Sequence, residues 1–125
     1  MTKILLAEDD DSMRLFLAAA LRRAGHEIQD YADGESALSA LEREVFHLLL
    51  TDIVMPGLDG IELARRGAEL DPAMKIVFIT GFAAVALSSG APTPAGAKVL
   101  SKPFHLRDLV MEVERVLEDR VSMQL

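Results

Sequence analysis

The sequence contains no cysteine among its 125 residues. This absence excludes disulfide bonds, zinc sites with thiolate ligands and thiol nucleophiles. Long apolar runs are also missing, since no stretch approaches the roughly 18 residues that a bilayer-spanning helix requires. The N-terminal stretch MTKILLAEDDD turns acidic where a signal peptide would stay apolar. We therefore expect a cytoplasmic protein without membrane insertion.

Basic residues are scarce relative to acidic ones. There are 13 Lys and Arg residues against 20 Asp and Glu residues, and the formal net charge is −7. This charge repels the phosphate backbone of nucleic acids, so nucleic acid is not an expected partner. The length fits one domain, and no linker or repeat divides the chain. We expect a domain at residues 1–121 and a frayed tail at residues 122–125.

Apolar runs separated by amphipathic segments indicate the fold class. Residues 3–7, 47–51, 75–80 and, more weakly, 97–100 are short apolar runs without alternation, which is typical of strands covered on both faces. Residues 27–31 alternate polar with apolar side chains, which is typical of a strand at a sheet edge. Helical patterns lie between the strands, at residues 12–24, 34–43, 60–70 and 105–121. The alternation predicts an α/β protein with a doubly wound, five-stranded parallel sheet.

Two helical segments carry more specific predictions. The first helix is predicted to face the sheet with one apolar stripe, formed by Met13, Phe16, Leu17, Ala20 and Leu21. Residues 81–97 read GFAAVALSSGAPTPAGA and combine Ser, Gly and two prolines. Because these residues interrupt helices, we expect the fourth of five helices to be short or loose.

Polar residues stand at the carboxyl ends of four predicted strands, where open α/β sheets bind their ligands. Glu8 and Asp9 follow the first strand, and Asp52 follows the third. Thr80 ends the fourth strand, and Lys102 follows the fifth. We expect the three acids, the hydroxyl and the ammonium to converge on one crevice.

This set of side chains suits phosphoryl transfer to a carboxylate. Clustered carboxylates repel one another unless a hard divalent cation joins them, so Glu8, Asp9 and Asp52 are predicted to hold Mg²⁺. Asp52 can then act as the nucleophile and become an aspartyl phosphate. Lys102 and the hydroxyl of Thr80 are predicted to stabilise the phosphoryl oxygens during transfer.

At these residues the chain resembles the receiver domain of two-component response regulators, over nearly its full length. The matching pieces are Glu8-Asp9 after LLA, Asp52 in TDIVMPGLDG, Thr80 in ITG and Lys102-Pro103 in LSKPF. The resemblance implies a flavodoxin-like (βα)5 receiver fold with strand order 2-1-3-4-5. It also implies Asp52 as the phosphoacceptor, the Val54 carbonyl as a further metal ligand and a cis bond before Pro103.

Longer stretches are similar to CpdR-type single-domain regulators, namely LLLTDIVMP, DGIELARR, ITGFAAVA and VLSKPFHLRDLV. Such regulators act as phosphorylation-controlled adaptors for the ClpXP protease. This resemblance implies a histidine kinase or a histidine phosphotransfer protein as phosphodonor. It also implies a protein output partner, with the ClpX unfoldase as the candidate. Because no output domain is visible before residue 125, we expect the output to be a phosphorylation-dependent protein contact.

Other functions are compatible with the same fold class. A phosphorelay intermediate, which passes phosphate between Asp52 and a histidine phosphotransfer protein, stays open as the alternative. An aspartate-nucleophile phosphatase would need a second acid two residues after Asp52, where this chain has Val54. A flavodoxin-like cofactor binder would need Ser, Thr and Gly after the first strand, where Glu8 and Asp9 would repel phosphate. We therefore expect a regulator and not an enzyme.

Overall fold

A computed structural model describes residues 2–80, 97–102 and 105–122, without the side chains of residues 80, 101 and 119–122. Two predictions lie outside the described residues, namely the short or loose fourth helix and the cis bond before Pro103. The tail also lies outside them from residue 123 onward. None of the described helices combines the length and the apolar composition that a membrane span requires.

Five parallel strands form one sheet. They are β1 (Lys3–Ala7), β2 (Glu27–Tyr31), β3 (Leu48–Asp52), β4 (Lys75–Thr80) and β5 (Lys98–Ser101). Their order across the sheet is β2-β1-β3-β4-β5, and every neighbouring pair is parallel. The predicted doubly wound sheet and its strand order are therefore confirmed, as is the placement of residues 27–31 at a sheet edge.

Four helices lie within the described ranges: α1 (Asp11–Arg23), α2 (Gly34–Arg43), α3 (Gly60–Leu70) and α4 (Leu106–Ser122). An aspartate precedes each of the first three and accepts a hydrogen bond from a backbone N–H in the first turn. The carboxylates of Asp10, Asp33 and Asp59 accept at 2.7 to 2.8 Å. These caps satisfy amide groups that have no partner inside the helix, and so they fix where each helix begins.

The helices cover both faces of the sheet, because side chains of a strand point alternately to opposite faces. On β3, for example, Leu49 packs with α2 and α3, whereas Leu48 and Leu50 pack with α1 and α4. All three leucines are fully buried. The apolar runs without alternation thus belong to strands that have a core on each side.

Phe16 departs from the predicted apolar stripe of α1. Its side chain is exposed, as is that of Leu15, whereas Leu17, Ala20 and Leu21 are buried as predicted. The buried arc of α1 is therefore rotated toward Ala18, which is also fully buried, and Phe16 lies beyond its opposite edge. The prediction for Phe16 was wrong.

Glycines allow close backbone approach at the carboxyl edge of the sheet. A Cβ atom added to Gly60 would lie 1.9 Å from the carbonyl oxygen of Asp52. The Gly60 N–H also donates to the carbonyl of Ile53 at 2.8 Å. The first residue of α3 therefore packs directly on the backbone that carries Asp52.

Replacing Gly60 with alanine should destabilise the fold. The added methyl group would overlap backbone atoms of Asp52 and Ile53, which cannot rotate away. We expect the free energy of unfolding to fall by about 2 kcal/mol. Gly67→Ala in the same helix is the control, because its nearest neighbour is the flexible end of Met74 and alanine favours helix. Urea denaturation of both variants measures the difference, and equal stability would contradict the expectation.

Candidate functional site

The strand register brings the predicted site residues together. Ala7 pairs with Thr51, so the residues that follow them, Glu8 and Asp52, leave the same edge of the sheet side by side. Glu8 is completely buried, and Asp52 is 6% exposed. Two adjacent buried carboxylates need a cation or a proton between them.

Lys102 supplies the cation. Its Nζ lies 3.1 Å from Oε1 of Glu8 and 3.3 Å from Oδ2 of Asp52. Thr80 pairs with Ser101 in the register of β4 and β5, and this pairing places Lys102 just beyond the same edge. Partial burial lowers the pKa of Lys102, but its hydrogen bonds and charge interactions with the two carboxylates outweigh this effect and raise it. Lys102 therefore stays charged at neutral pH.

Asp9 completes a cluster of three carboxylates. One ligand oxygen from each of Glu8, Asp9 and Asp52 lies within 4.8 Å of the others. Asp9 is exposed whereas the other two are buried, so the cluster has one side open to solvent. Three carboxylate oxygens at this spacing fit a hard divalent cation such as Mg²⁺, which is bound by oxygen ligands and water. The predicted metal ligands on side chains are thus gathered in one place.

Glu8 has an unusual protonation equilibrium. Burial raises its pKa from the ordinary 4.5 to about 7, and the charge of Asp52 acts in the same direction. The N–H of Asp10, which donates to Oε2 at 3.1 Å, and the ammonium of Lys102 oppose the rise without cancelling it. At neutral pH the proton and any cation therefore compete for this carboxylate.

Val54 and Thr80 occupy the expected places along the chain. Val54 lies two residues after Asp52, in the loop between β3 and α3, and its side chain is 55% exposed. Thr80 is the last residue of β4. Its backbone lies at the same edge of the sheet as Lys102, and its side chain is not among the described ones.

Arg14 is a site residue that the sequence analysis did not identify. One guanidinium nitrogen donates to the backbone carbonyl of Glu8 at 3.0 Å, and Nε contacts Asp30 at 3.2 Å. A third nitrogen contacts Asp11 at 2.8 Å. The guanidinium thereby ties the residue that carries the buried acid to α1 and β2. A basic residue in the first turn of a helix interacts unfavourably with the helix dipole. This position in the sequence could have indicated that Arg14 needs acidic partners.

With this geometry in place, the family is clear: the chain belongs to the response regulator receiver domain family, whose pattern matches residues 4–114. It is 62% identical to the response regulator receiver protein CpdR of Brucella abortus (strain 2308), over 94% of this chain and 98% of CpdR. The sensor kinase CckA of the same organism is 35% identical over 92% of this chain and 12% of the kinase.

A solved structure supports the same assignment. The response regulator receiver protein from Sinorhizobium medicae WSM419 is 32% identical and superposes with a TM-score of 0.87. The superposition covers 95% of this chain and 96% of that one. The resemblance to two-component receiver domains, and to CpdR in particular, is thus confirmed.

The raised pKa of Glu8 should make the stability of the metal-free protein depend on pH. Between pH 4.5 and about 7 the folded protein keeps a proton on Glu8 that the unfolded chain has released. The stability that this proton provides is complete below pH 4.5 and is lost as the pH rises through about 7. We expect the wild type to lose roughly 1–3 kcal/mol relative to Glu8→Gln across this interval.

Denaturant unfolding in the presence of a chelator, at several pH values, measures this difference. The Glu8→Gln variant is the reference because it keeps the shape of the side chain and cannot titrate. A difference between the two proteins that stays constant with pH would show that Glu8 ionises as an ordinary exposed glutamate does.

Proposed function

We propose that this chain is a cytoplasmic single-domain response regulator that receives a phosphoryl group on Asp52. The observation that carries the proposal is the ammonium of Lys102 held between the carboxylates of Glu8 and Asp52, with Asp9 at the open side. Burying such charges offsets much of their mutual attraction, so the arrangement is a poor device for stability alone. The same arrangement of charges is well suited to bind a metal cation and a phosphoryl group.

Asp52 is the proposed nucleophile. One of its carboxylate oxygens forms a bond to the phosphorus of a donor phosphohistidine, while the bond between phosphorus and the imidazole nitrogen breaks. The electron pair of the broken bond leaves with the imidazole, which regains a proton from solvent. The product is an acyl phosphate on Asp52. Because Asp52 is only 6% exposed, the donor must bring the phosphoryl group to a narrow opening.

The neighbouring groups then have defined tasks. Glu8, Asp9 and Asp52 would hold Mg²⁺ together with the Val54 carbonyl, and the bound ion would reduce their repulsion of the incoming phosphoryl oxygens. An ammonium has three N–H donors, and Lys102 contacts two carboxylates among the described residues. Its third N–H is proposed to donate to a phosphoryl oxygen. The hydroxyl of Thr80 is proposed as a second donor to that group.

The proposed partners follow from the relatives. CpdR aligns with this chain along almost its whole length, which supports an output by protein contact as a phosphorylation-controlled adaptor for ClpXP. We propose a histidine kinase or a histidine phosphotransfer protein as the phosphodonor and the ClpX unfoldase as the output partner.

A relay intermediate is the second candidate. The observation that favours it is the similarity to a stretch of the sensor kinase CckA, since the matched part of that kinase is receiver-like in sequence. A relay would pass the phosphoryl group from Asp52 to a histidine protein, whereas an adaptor would keep it while bound to its partner.

Incubation with acetyl phosphate and Mg²⁺ should add one phosphoryl group to the wild type. Asp52→Asn removes the nucleophile and should abolish the mass increase. Asp59→Asn is the matched control, because Asp59 is a nearby exposed acid and asparagine preserves its cap on α3. Intact-protein mass spectrometry measures the product. An unchanged mass for the wild type, or equal labelling of Asp52→Asn, would disprove phosphorylation at Asp52.

Binding of ClpX should depend on the state of Asp52. Wild type and Asp52→Asn are immobilised and exposed to purified ClpX, each with and without beryllofluoride as a mimic of the phosphoryl group. We expect beryllofluoride to change the retention of ClpX by the wild type and not by the variant. Equal retention in all four conditions would rule out the adaptor role, and transfer of labelled phosphate to a histidine phosphotransfer protein would then support the relay.

A further inference from the structure

The first turn of α2 contacts the loop that follows Asp52. This loop, residues 53–59, joins β3 to α3 and includes Val54. Glu35 lies in the first turn of α2, and its Oε1 accepts a hydrogen bond from the backbone N–H of Leu58 at 2.9 Å. The two residues are 23 positions apart in the sequence. The contact therefore holds the loop against a different element of the fold.

Two glycines allow the loop and the helix to fit together at this contact. Gly57 has a φ of +74°, and a Cβ atom there would lie 2.4 Å from Oε1 of Glu35. Gly34 precedes Glu35, and a Cβ atom on it would lie 2.2 Å from the carbonyl oxygen of Leu58. The loop and the helix thus each have a glycine at the point where their backbones come close. Glu35 is exposed, yet its carboxylate is positioned by the Leu58 amide and by the backbone of Gly57.

The ends of the loop are held by other means. The N–H of Ile53 donates to the carbonyl of Ile79 at 3.3 Å, and the N–H of Gly60 donates to the carbonyl of Ile53 at 2.8 Å. Among the hydrogen bonds between described residues, the one from Leu58 to Glu35 is what ties residues 54–58 to another element. Without it, this stretch would be held through its ends and through the packing of Met55 and Leu58 against the core.

We infer that Glu35 is a positioning residue that fixes the path of the loop between β3 and α3, and through it the Val54 carbonyl. The inference rests on the proposed function, in which that carbonyl helps to hold Mg²⁺ beside Asp52. Groups that orient a metal ligand contribute to metal affinity even though they do not touch the metal. Glu35 acts in this way through the backbone of the loop.

Glu35→Ala and Glu35→Gln separate position from charge. Alanine removes the acceptor and keeps a good helix former at an exposed site, so the variant should fold. Glutamine keeps an acceptor oxygen and removes the charge. For Glu35→Ala we expect hydrogen exchange at the Leu58 amide to become roughly three- to tenfold faster. Its affinity for Mg²⁺, measured by titration calorimetry, should fall roughly three- to tenfold. Glu35→Gln should stay near the wild type in both measurements.

Glu42→Ala is the matched control. Glu42 is an exposed glutamate at the far end of the same helix, so its replacement removes the same charge without touching the loop. Its affinity for Mg²⁺ and its exchange rate at Leu58 should match those of the wild type. A loss of affinity in Glu42→Ala or in Glu35→Gln as large as that in Glu35→Ala would assign the effect to charge and overturn the positioning role.

Failure of this inference can be told apart from failure of the proposed function. If the wild type and Glu35→Ala bind Mg²⁺ equally well, or if exchange at Leu58 is unchanged, the positioning role is overturned while phosphorylation of Asp52 stands. If the wild type neither binds Mg²⁺ nor accepts a phosphoryl group from acetyl phosphate, the proposed function fails. In that case the role of Glu35 in positioning a metal-binding carbonyl is also overturned, even if Glu35→Ala changes the rate of hydrogen exchange at the Leu58 amide.

Discussion

The contact of one ammonium with two buried carboxylates is the interaction on which the site depends. Glu8 and Asp52 leave adjacent strands side by side, and in the absence of a cation their charges would drive them apart or force a proton onto one of them. Lys102 follows the edge strand β5 and reaches past the end of β4 to Asp52 and to Glu8, which lies one strand further along the sheet. The ion pairs therefore add side-chain contacts between three strand ends that the sheet register already brings to one edge.

The charge of the cluster is compatible with the proposed binding of a cation and a phosphoryl group at the same place. Three carboxylates and one ammonium leave an excess of negative charge, which a divalent ion would neutralise. The pKa of Glu8 is raised mainly by burial, and the charge of Asp52 adds to the rise, so this carboxylate retains a proton more readily than an ordinary glutamate does. Under the proposed function, a site with this charge would bind the cation first and the anionic group afterwards.

The sequence predicts the strands and the clustered acids well for a physical reason. Apolar runs without alternation occur where both faces of a strand are covered, and in a parallel sheet the ends of such strands meet at one edge. Asp52 and Lys102 could thus be placed together from their order alone. Phe16 could not be placed correctly, because periodicity gives only the approximate direction of a helix face, and the packed structure rotates the buried face of α1 toward Ala18. Arg14 and Glu35 were missed because the contacts that matter at the site, from Arg14 to the Glu8 carbonyl and from Glu35 to the Leu58 amide, join different elements that only the packed structure brings within reach.

The two sides of the site are held by different forces. On the side of the loop after Asp52, Gly60 lets backbone press against backbone, and such contacts do not depend on charge. On the side of Lys102 the contacts are ionic, at 3.1 and 3.3 Å. A change of charge at Asp52 acts directly on ionic contacts and only weakly on steric ones. Any displacement that follows modification of Asp52 should therefore begin at Lys102 and the edge strand that precedes it, while the start of α3 stays in place as the fixed reference.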